Sequence, residues 1–399
     1  MKAIELLIPI ITIPIIIKCF GLSGYGFITM FLVFSNYLIL LGDWGFNINA
    51  VKFFSDNSNS SLLVFFEIQK CKIIFLVNIF IVSLIIWLIF LSSVDILDLL
   101  IFIIWCLSNL LLCRWYFQAH NKLKLFAIIS LLFKLISLVY VFFIMDTSSD
   151  ITEYLLAISL PNLLFCLCVN FLAVKKELSD GKYISIKKII VINNFSEEYK
   201  KLFKEGWYLI SSRIISNAYN PMIIFISKMT FGVEFVGFLG FCQKIVGGLI
   251  TLMTPIIEVT FPLLAKSYSI SRESLNKHIS LISLSIVALS TIGMFILIVF
   301  YEYIFEVFNI EVSDIRIYFL IIYAMVIPVS CINSLLVNGL VIMGSVNNIV
   351  RYTFIGVLVA LIILFSVNSM VLNVLTVAFC LICGPVINMV MMLRYEYFK

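Results

Sequence analysis

The chain has 399 residues, 63% of them hydrophobic and only 12% charged, with a net charge of +5 and a mean hydropathy of +1.16. Soluble domains are usually about half apolar, so this composition excludes an ordinary water-soluble globular fold. The small positive balance does not describe a nucleic-acid-binding chain, and no nucleic-acid partner is expected.

Taken in chain order, the apolar runs predict twelve helical spans: 3–20, 26–49, 73–92, 97–117, 123–145, 151–174, 207–228, 233–262, 278–301, 316–341, 346–367 and 370–393. The run IIFLVNIFIVSLIIWLIFL (73–91) is typical. It carries no charge over about the length that crosses ~30 Å of hydrocarbon at ~1.5 Å per residue. No small-residue cleavage site follows the first run, which therefore reads as a retained helix and not a signal peptide. The expected fold is an all-α, polytopic membrane protein.

The positions of the cations give the expected topology. Lys2, Lys52, Lys70, Lys72, Arg114, Lys122, Lys124, the eight lysines between 175 and 204, Lys266, Arg272, Lys277, Arg351, Arg394 and Lys399 make 21 of the 27 Lys and Arg. All of them fall on one side if the N-terminus is cytoplasmic. The turns at 93–96 and 146–150 carry Asp95, Asp146 and Asp150 and no cation. The positive-inside rule then gives N-in and C-in.

The polar stretch 175–206 divides six spans from six. It separates a first bundle (1–174) from a second (207–399), and FSEEYKKLFKEG within it reads as a short amphipathic linker helix started by Ser196, Glu197 and Glu198. An internal repeat supports the halving. IIIKCFGLSGYGF (15–27) can be laid on FISKMTFGVEFVGF (225–238), so that Gly21 and Gly26-Phe27 match Gly232 and Gly237-Phe238 at a constant offset of 211. Both copies fall at the turn joining the first two helices of a half. Two pseudo-symmetric six-helix bundles around a central cavity are a transporter architecture.

Lys18, Asp43, Lys134, Arg213, Lys244 and Glu258 lie inside the predicted spans. A Lys, Arg or Asp at a helix centre costs roughly 2.5–3.5 kcal/mol on insertion scales, so such residues face a partner or water. Lys134 and Lys244 lie near the midplane, while Lys18 and Arg213 lie closer to span ends, where snorkelling is open to them. The four cations are candidates for a cationic lumen that holds an anionic substrate. Asp43 and Glu258 are candidates for ion coupling or for ion pairing with Arg213. Cys380 and Cys383 have CxxC spacing but lie in an apolar run without further ligands. His120 and His278 read as packing residues, so neither metal nor cofactor is expected. Trp44, Phe46, Trp207 and Tyr208 read as interface anchors before sugar-stacking platforms.

RWYFQAHNKLK (114–124) is the expected cytoplasmic turn after the fourth span, with Trp115 and Tyr116 as headgroup-level anchors. The order of its residues carries more. WYFQAHNKLK (115–124), through Trp115, Phe117, Gln118, Lys122 and Lys124, resembles the WFFQG-x-x-K-M-K turn of Wzx-type polysaccharide flippases. That family belongs to the multidrug/oligosaccharidyl-lipid/polysaccharide exporter superfamily. LLIPIITIPIIIKCFGLSGYGF (6–27) resembles its proline-spaced first helix, and GDWGFNINAVKFFSDN (42–57) its "DFGF" end of helix 2. LFKEGWYLISSRIISNAYNP (202–221) and VGFLGFCQKIVGGLITLMTPIIEVTFPLLAK (236–266) are similar to its helices 7 and 8. Lys18 stands where relatives usually carry Arg, His120 replaces a less polar residue, and Glu258 replaces a neutral one.

The resemblance implies alternating access between two bundles. It also implies translocation of undecaprenyl-pyrophosphate-linked oligosaccharide repeats across the bacterial inner membrane, for O-antigen or capsule assembly. Partners implied are that lipid-linked substrate, membrane lipids, and the polymerase and chain-length proteins of the same pathway. No catalytic residues are expected. A small-molecule or drug antiporter of the same superfamily is the alternative. A polysaccharide polymerase ranks below it, because the longest outer loop (302–315) has no paired acids beside a His or Arg. A major-facilitator transporter is disfavoured because VKFFSDNSNSSLLVFFEIQK (51–70) lacks the Gly-Asp-Arg signature.

Overall fold

A computed structural model describes residues 2–47, 50–51, 54, 61–90, 96–146, 149–179, 197–366 and 374–394. Among these residues there is no strand. The helices are α1 (Lys2–Asp43), α2 (Ser61–Phe90), α3 (Ile96–Leu110), α4 (Arg114–Ala119), α5 (Leu123–Phe143), α6 (Ile151–Ser179) and α7 (Glu197–Phe231). They continue with α8 (Val233–Ile270), α9 (Arg272–Val299), α10 (Tyr301–Val307), α11 (Asp314–Ala324), α12 (Val326–Ile342), α13 (Val346–Ser366) and α14 (Val374–Met392).

Among the described residues, eight helical stretches are long and apolar enough to cross a membrane. Their outward faces carry what a soluble protein would hide. Phe143 is 84% exposed and Leu284 71%, and Val259 and Ile270 are similarly bare. Large apolar side chains pointing outward on long helices are lipid-facing surface. The protein is an all-α, multi-pass membrane protein.

The helix boundaries follow local chemistry. Ile10–Asp43 covers 34 residues, about 50 Å as one straight rod, which is too long for a ~30 Å core. It is broken at Gly21 (φ 69°, ψ −178°), a left-handed position that glycine occupies without a Cβ penalty. The two lengths on either side correspond to the first two apolar runs. Ser271 and Ser313 cap α9 and α11 by accepting from the Ser274 and Arg316 amides, satisfying donors that a helix start leaves open. The amphipathic segment expected as a separate linker helix is instead the first part of α7. Glu197–Phe231 is one continuous helix with Gly206 and Pro221 inside it. Nothing between Glu197 and Trp207 but Gly206, which a helix tolerates, would divide the amphipathic part from the apolar one. Ser196 and the rest of 180–196 lie outside the described residues.

The chain forms two compact units, one of residues 1–29 with 218–399 and the other of residues 30–217. In the first, Ile257, Leu264, Leu275, Ile279, Leu335, Leu336 and Leu340 pack into an aliphatic core. In the second the core is aromatic, with Phe46, Phe54, Phe65, Trp115, Tyr116, Phe117, Phe126 and Phe165 packed together.

Candidate functional site

In the first unit, the repeat noticed in the sequence becomes a contact. Gly21 and Gly232 share nearly the same extended, positive-φ conformation (φ 69° and 88°, ψ −178° and 179°). Each breaks the chain between two helices. A Cβ built on Gly26 would lie 2.1 Å from the Val233 carbonyl oxygen, and one on Gly237 would lie 2.0 Å from the Leu22 carbonyl oxygen. The offset of 211 converts each statement into the other, so this is where a pseudo-twofold axis passes. Three residues further on, Thr29 fills the space that a Cβ on Gly240 would take, its Oγ1 standing 2.4 Å from that position. Small residues let two helix backbones meet where no apolar driving force between helices exists in lipid.

The same unit holds the mid-depth polar groups. Gln243 Nε2 on α8 donates to Asn220 Oδ1 on α7 at 2.9 Å. The two residues lie at nearly equal distances along the chain from Gly232, so α7 and α8 form a helical hairpin about that glycine. At ~1.5 Å per residue both amides stand about 17 Å from the turn, near the middle of a ~30 Å core. Lys244 follows Gln243 directly and is exposed. Lys18 is also exposed but sits only about 5 Å from the Gly21 break. Glu258 is exposed on α8, about 20 Å beyond Lys244 by helical rise, too far to be its partner. Sequence reasoning singled out Lys244 by its charge and missed Asn220 and Gln243, because neutral amides do not register in a search for charges inside spans.

In the second unit the sequence motifs converge as packing. Asp43 ends α1, and Trp44 (φ 48°) and Gly45 (φ 77°) turn the chain in the left-handed region. Trp44 stacks on Phe75 and on Phe203, with ring centroids 4.9 Å away in each case, and its Nε1 donates to the Phe203 carbonyl at 3.1 Å. Phe46 is fully buried. Phe46 therefore offers no face for sugar stacking, while Trp44 is half-buried against the two phenylalanines. Trp207 and Tyr208 lie among the side chains not described.

Asp43 pairs with Lys72, Oδ1 to Nζ 3.2 Å, and the Lys72 side chain is 0% exposed. This corrects two expectations. Asp43 has a partner other than Arg213, whose side chain is not described, and Lys72 is no loop cation. Helix α2 starts at Ser61, well before the uncharged run at 73, so Lys72 is carried into the protein interior. Nearby, Gln69 Nε2 donates to Asn170 Oδ1 (2.8 Å) and to the Leu111 carbonyl (3.1 Å), and Asn170 Nδ2 donates to the same carbonyl and to that of Cys166. Both amides thus donate to the Leu111 carbonyl, left open where α3 ends.

The motif at 114–124 divides by side chain. Trp115, Tyr116 and Phe117 are 0%, 1% and 3% exposed, so Trp115 and Tyr116 are core residues and not interface anchors. The short helix α4 turns them inward against Phe54 and Phe65. Gln118, Lys122 and Lys124 are exposed. The Tyr116 hydroxyl donates to buried Glu177 at 2.6 Å, Lys176 stands over the Tyr116 ring, and His120 Nε2 is 3.7 Å from the same Glu177 oxygen. His120 and Glu177 thus fasten the turn to the end of α6. Lys134 is half-buried in α5.

Of the sequence-predicted set, Lys18, Lys244 and Glu258 therefore fall in the first unit, and Asp43, Lys134, Arg213 and the turn motif in the second. Cys380 serves through its backbone, its carbonyl accepting from the Tyr219 hydroxyl. Among the described residues, no group of three or more His, Cys, Asp or Glu is placed to hold a metal ion.

Residues 1–268 match the family model described as "Polysaccharide biosynthesis protein". A protein of Escherichia coli (strain K12) named "Putative O-antigen transporter" is 23% identical over 293 residues, a match spanning 70% of this chain and 66% of that one, just under two thirds of its length. Two solved structures share the fold. A multidrug resistance MATE family transporter of the MOP superfamily, in an inward-facing conformation, superposes with a TM-score of 0.73 at 12% identity, covering 100% of this chain and 93% of its own. The lipid II flippase MurJ, in an inward closed conformation, gives 0.72 at 13% identity, covering 97% of this chain and 84% of its own.

Proposed function

The chain belongs to the polysaccharide biosynthesis protein family, and on that premise we propose that it moves a lipid-linked oligosaccharide between the leaflets of the bacterial inner membrane. The substrate class is a polyprenyl-pyrophosphate-linked repeat unit, undecaprenyl in the usual bacterial case. The observation that carries this reading is Lys244. It is an exposed cation at mid-depth of an apolar helix, where a permanent charge is costly unless water or an anion faces it.

In this reading Lys244 compensates the pyrophosphate charge, which is expensive to bring into a low-dielectric space alone. Lys18 offers a second cation near the Gly21 turn, and Arg213 and Lys134 are the further candidate cations of the chain. The lipid tail stays in the bilayer. The six-helix halves 1–174 and 207–399, both termini cytoplasmic, rock about the axis marked by Gly26 and Gly237, which keeps the two turns in contact while the opposite ends separate. Glu258 and the Asp43–Lys72 pair are candidates for coupling to an ion gradient. The E. coli relative's name and the family support an envelope-glycan substrate over a drug.

The test is a deletion strain, with surface polysaccharide and lipid-linked intermediates read side by side. Loss of surface repeats with single lipid-linked repeats accumulating on the cytoplasmic side supports the proposal. Surface material bearing one unpolymerised repeat points to a polymerase, and an unchanged profile points to a small-molecule antiporter; either result overturns it. Complementation with Lys244→Ala should fail, while Lys244→Arg should restore most export, because both Lys and Arg keep a permanent cation.

A further inference from the structure

The hydrogen bond between Gln243 and Asn220 uses only part of what the two amides offer. Gln243 donates one N–H and Asn220 accepts it. The Gln243 Oε1 acceptor and the Asn220 Nδ2 donors make no further hydrogen bond among the described residues, although each amide carries two donors and an acceptor. Asn220 is exposed and Gln243 half-exposed, and the exposed residues beside them include Asn217 and Lys244 as well as apolar Met222, with apolar Leu252 further along α8. An open amide facing hydrocarbon costs several kcal/mol on water-to-alkane scales. Such a pair at mid-depth is accounted for if it faces a polar ligand or the water that precedes it.

The geometry is specific in kind. The mutual hydrogen bond fixes both amides, so a donor and an acceptor are held side by side in a fixed order. That combination matches an acetamido group, which has one N–H and one C=O, or two neighbouring hydroxyls. It is poorly matched to a phosphate, which only accepts. Lys244 is the next residue along α8 and supplies the cation that a phosphate requires.

We propose that Asn220 and Gln243 form a carbohydrate subsite, recognising the acetamido or vicinal hydroxyl groups of the first sugar of the substrate while Lys244 holds the adjoining phosphate. This rests on the transport reading above and adds to it where the sugar is read. It also makes the pair a determinant of which glycans are accepted.

The experiment is binding to the purified full chain in lipid nanodiscs, with two probes: a polyprenyl pyrophosphate, and the same lipid bearing a single acetamido sugar. The wild type should prefer the sugar-bearing lipid about tenfold, the order expected of one or two hydrogen bonds. Gln243→Met with Asn220→Leu, close in volume and at non-core positions, should bring the two affinities together while leaving the bare lipid unchanged. Lys244→Met should weaken both probes by a similar factor. A double variant that keeps the preference, or that loses both probes equally, overturns the subsite. Equal wild-type affinity for the two probes overturns it as well and leaves the transport reading standing. If the wild type binds neither probe, the transport reading and the subsite fail together.

Discussion

The crossing of α1 and α8 in the first unit and the aromatic cluster of the second are held by opposite means. At the crossing the closest approaches are made without side chains. Gly26 and Gly237 place backbone against backbone, and the Gly26–Val233 approach has its copy, Leu22–Gly237, 211 residues away. In the cluster large aromatic side chains are buried together, with a buried ion pair and an amide network nearby. None of it is copied. At the same offset from Asp43, Lys72 and Trp115 stand Thr254, Ser283 and Val326, and the corresponding core is aliphatic. Where two repeats meet across an axis, each side is the other's environment, so a change on one side is met on both. Away from the axis each repeat packs only on itself and is free to diverge.

The comparison breaks most visibly at the crossing. Gly26→Ala or Gly237→Ala puts a Cβ onto a carbonyl oxygen at about 2 Å, and a helix backbone cannot yield as a side chain can. Either variant should reduce transport to background and broaden the elution profile in detergent. Gly247→Ala, whose Cβ would meet nothing within 4 Å, should behave as wild type. Normal transport by Gly26→Ala would mean that the two turns are not held in contact.

In the cluster the expected losses are large but graded. Lys72→Met strands the Asp43 carboxylate in the interior and should cost about 3–5 kcal/mol, most of it recovered in Lys72→Met with Asp43→Leu, since an apolar pair of similar volume often replaces a buried ion pair without loss. Trp115→Ala should cost about 3–5 kcal/mol through the cavity it leaves. Tyr116→Phe removes only the donor to Glu177 and should cost about 1–2 kcal/mol. Thermal unfolding in detergent measures all four. If Lys72→Met and the double variant are equally destabilised, the pair is not an isolated unit and Lys72 serves the protein by another route.

How much of this was legible in the sequence depends on whether the signal was local. The Gly21 and Gly232 breaks were readable because glycine at a helix junction and a fixed offset are properties of the chain itself. The apolar helical character was readable because lipid imposes a length on uncharged runs, and eight stretches among the described residues reach it. The place of Lys72 was not. Hydropathy marks where charge stops, not where a helix starts, and α2 begins before its uncharged run does. Trp115 and Tyr116 were misplaced for a related reason: an aromatic pair at a span end looks the same whether it faces headgroups or folds under a six-residue helix such as α4. The mid-depth amides were hidden because Asn220 and Gln243 gain meaning only once the hairpin at Gly232 brings them together.

The smallest expected effect tests the axis most sharply. Thr29 and Gly240 are related by the same offset as Gly26 and Gly237, yet they differ, and the methyl and hydroxyl of Thr29 occupy the volume that Gly240 leaves open. Gly240→Thr alone should be poorly tolerated, because two threonines would then compete for one space. Thr29→Gly alone should cost about 1–2 kcal/mol, from a helix-interior glycine and a small void. The exchange Thr29→Gly with Gly240→Thr puts the same threonine on the other side of the axis, facing the same kind of glycine. If the axis passes between these two residues, the exchanged protein should unfold within about 1 kcal/mol of wild type, so that the second substitution rescues the first. An additive or worse loss would mean that the helices meet there without symmetry, and that the repeat ends at Gly26 and Gly237.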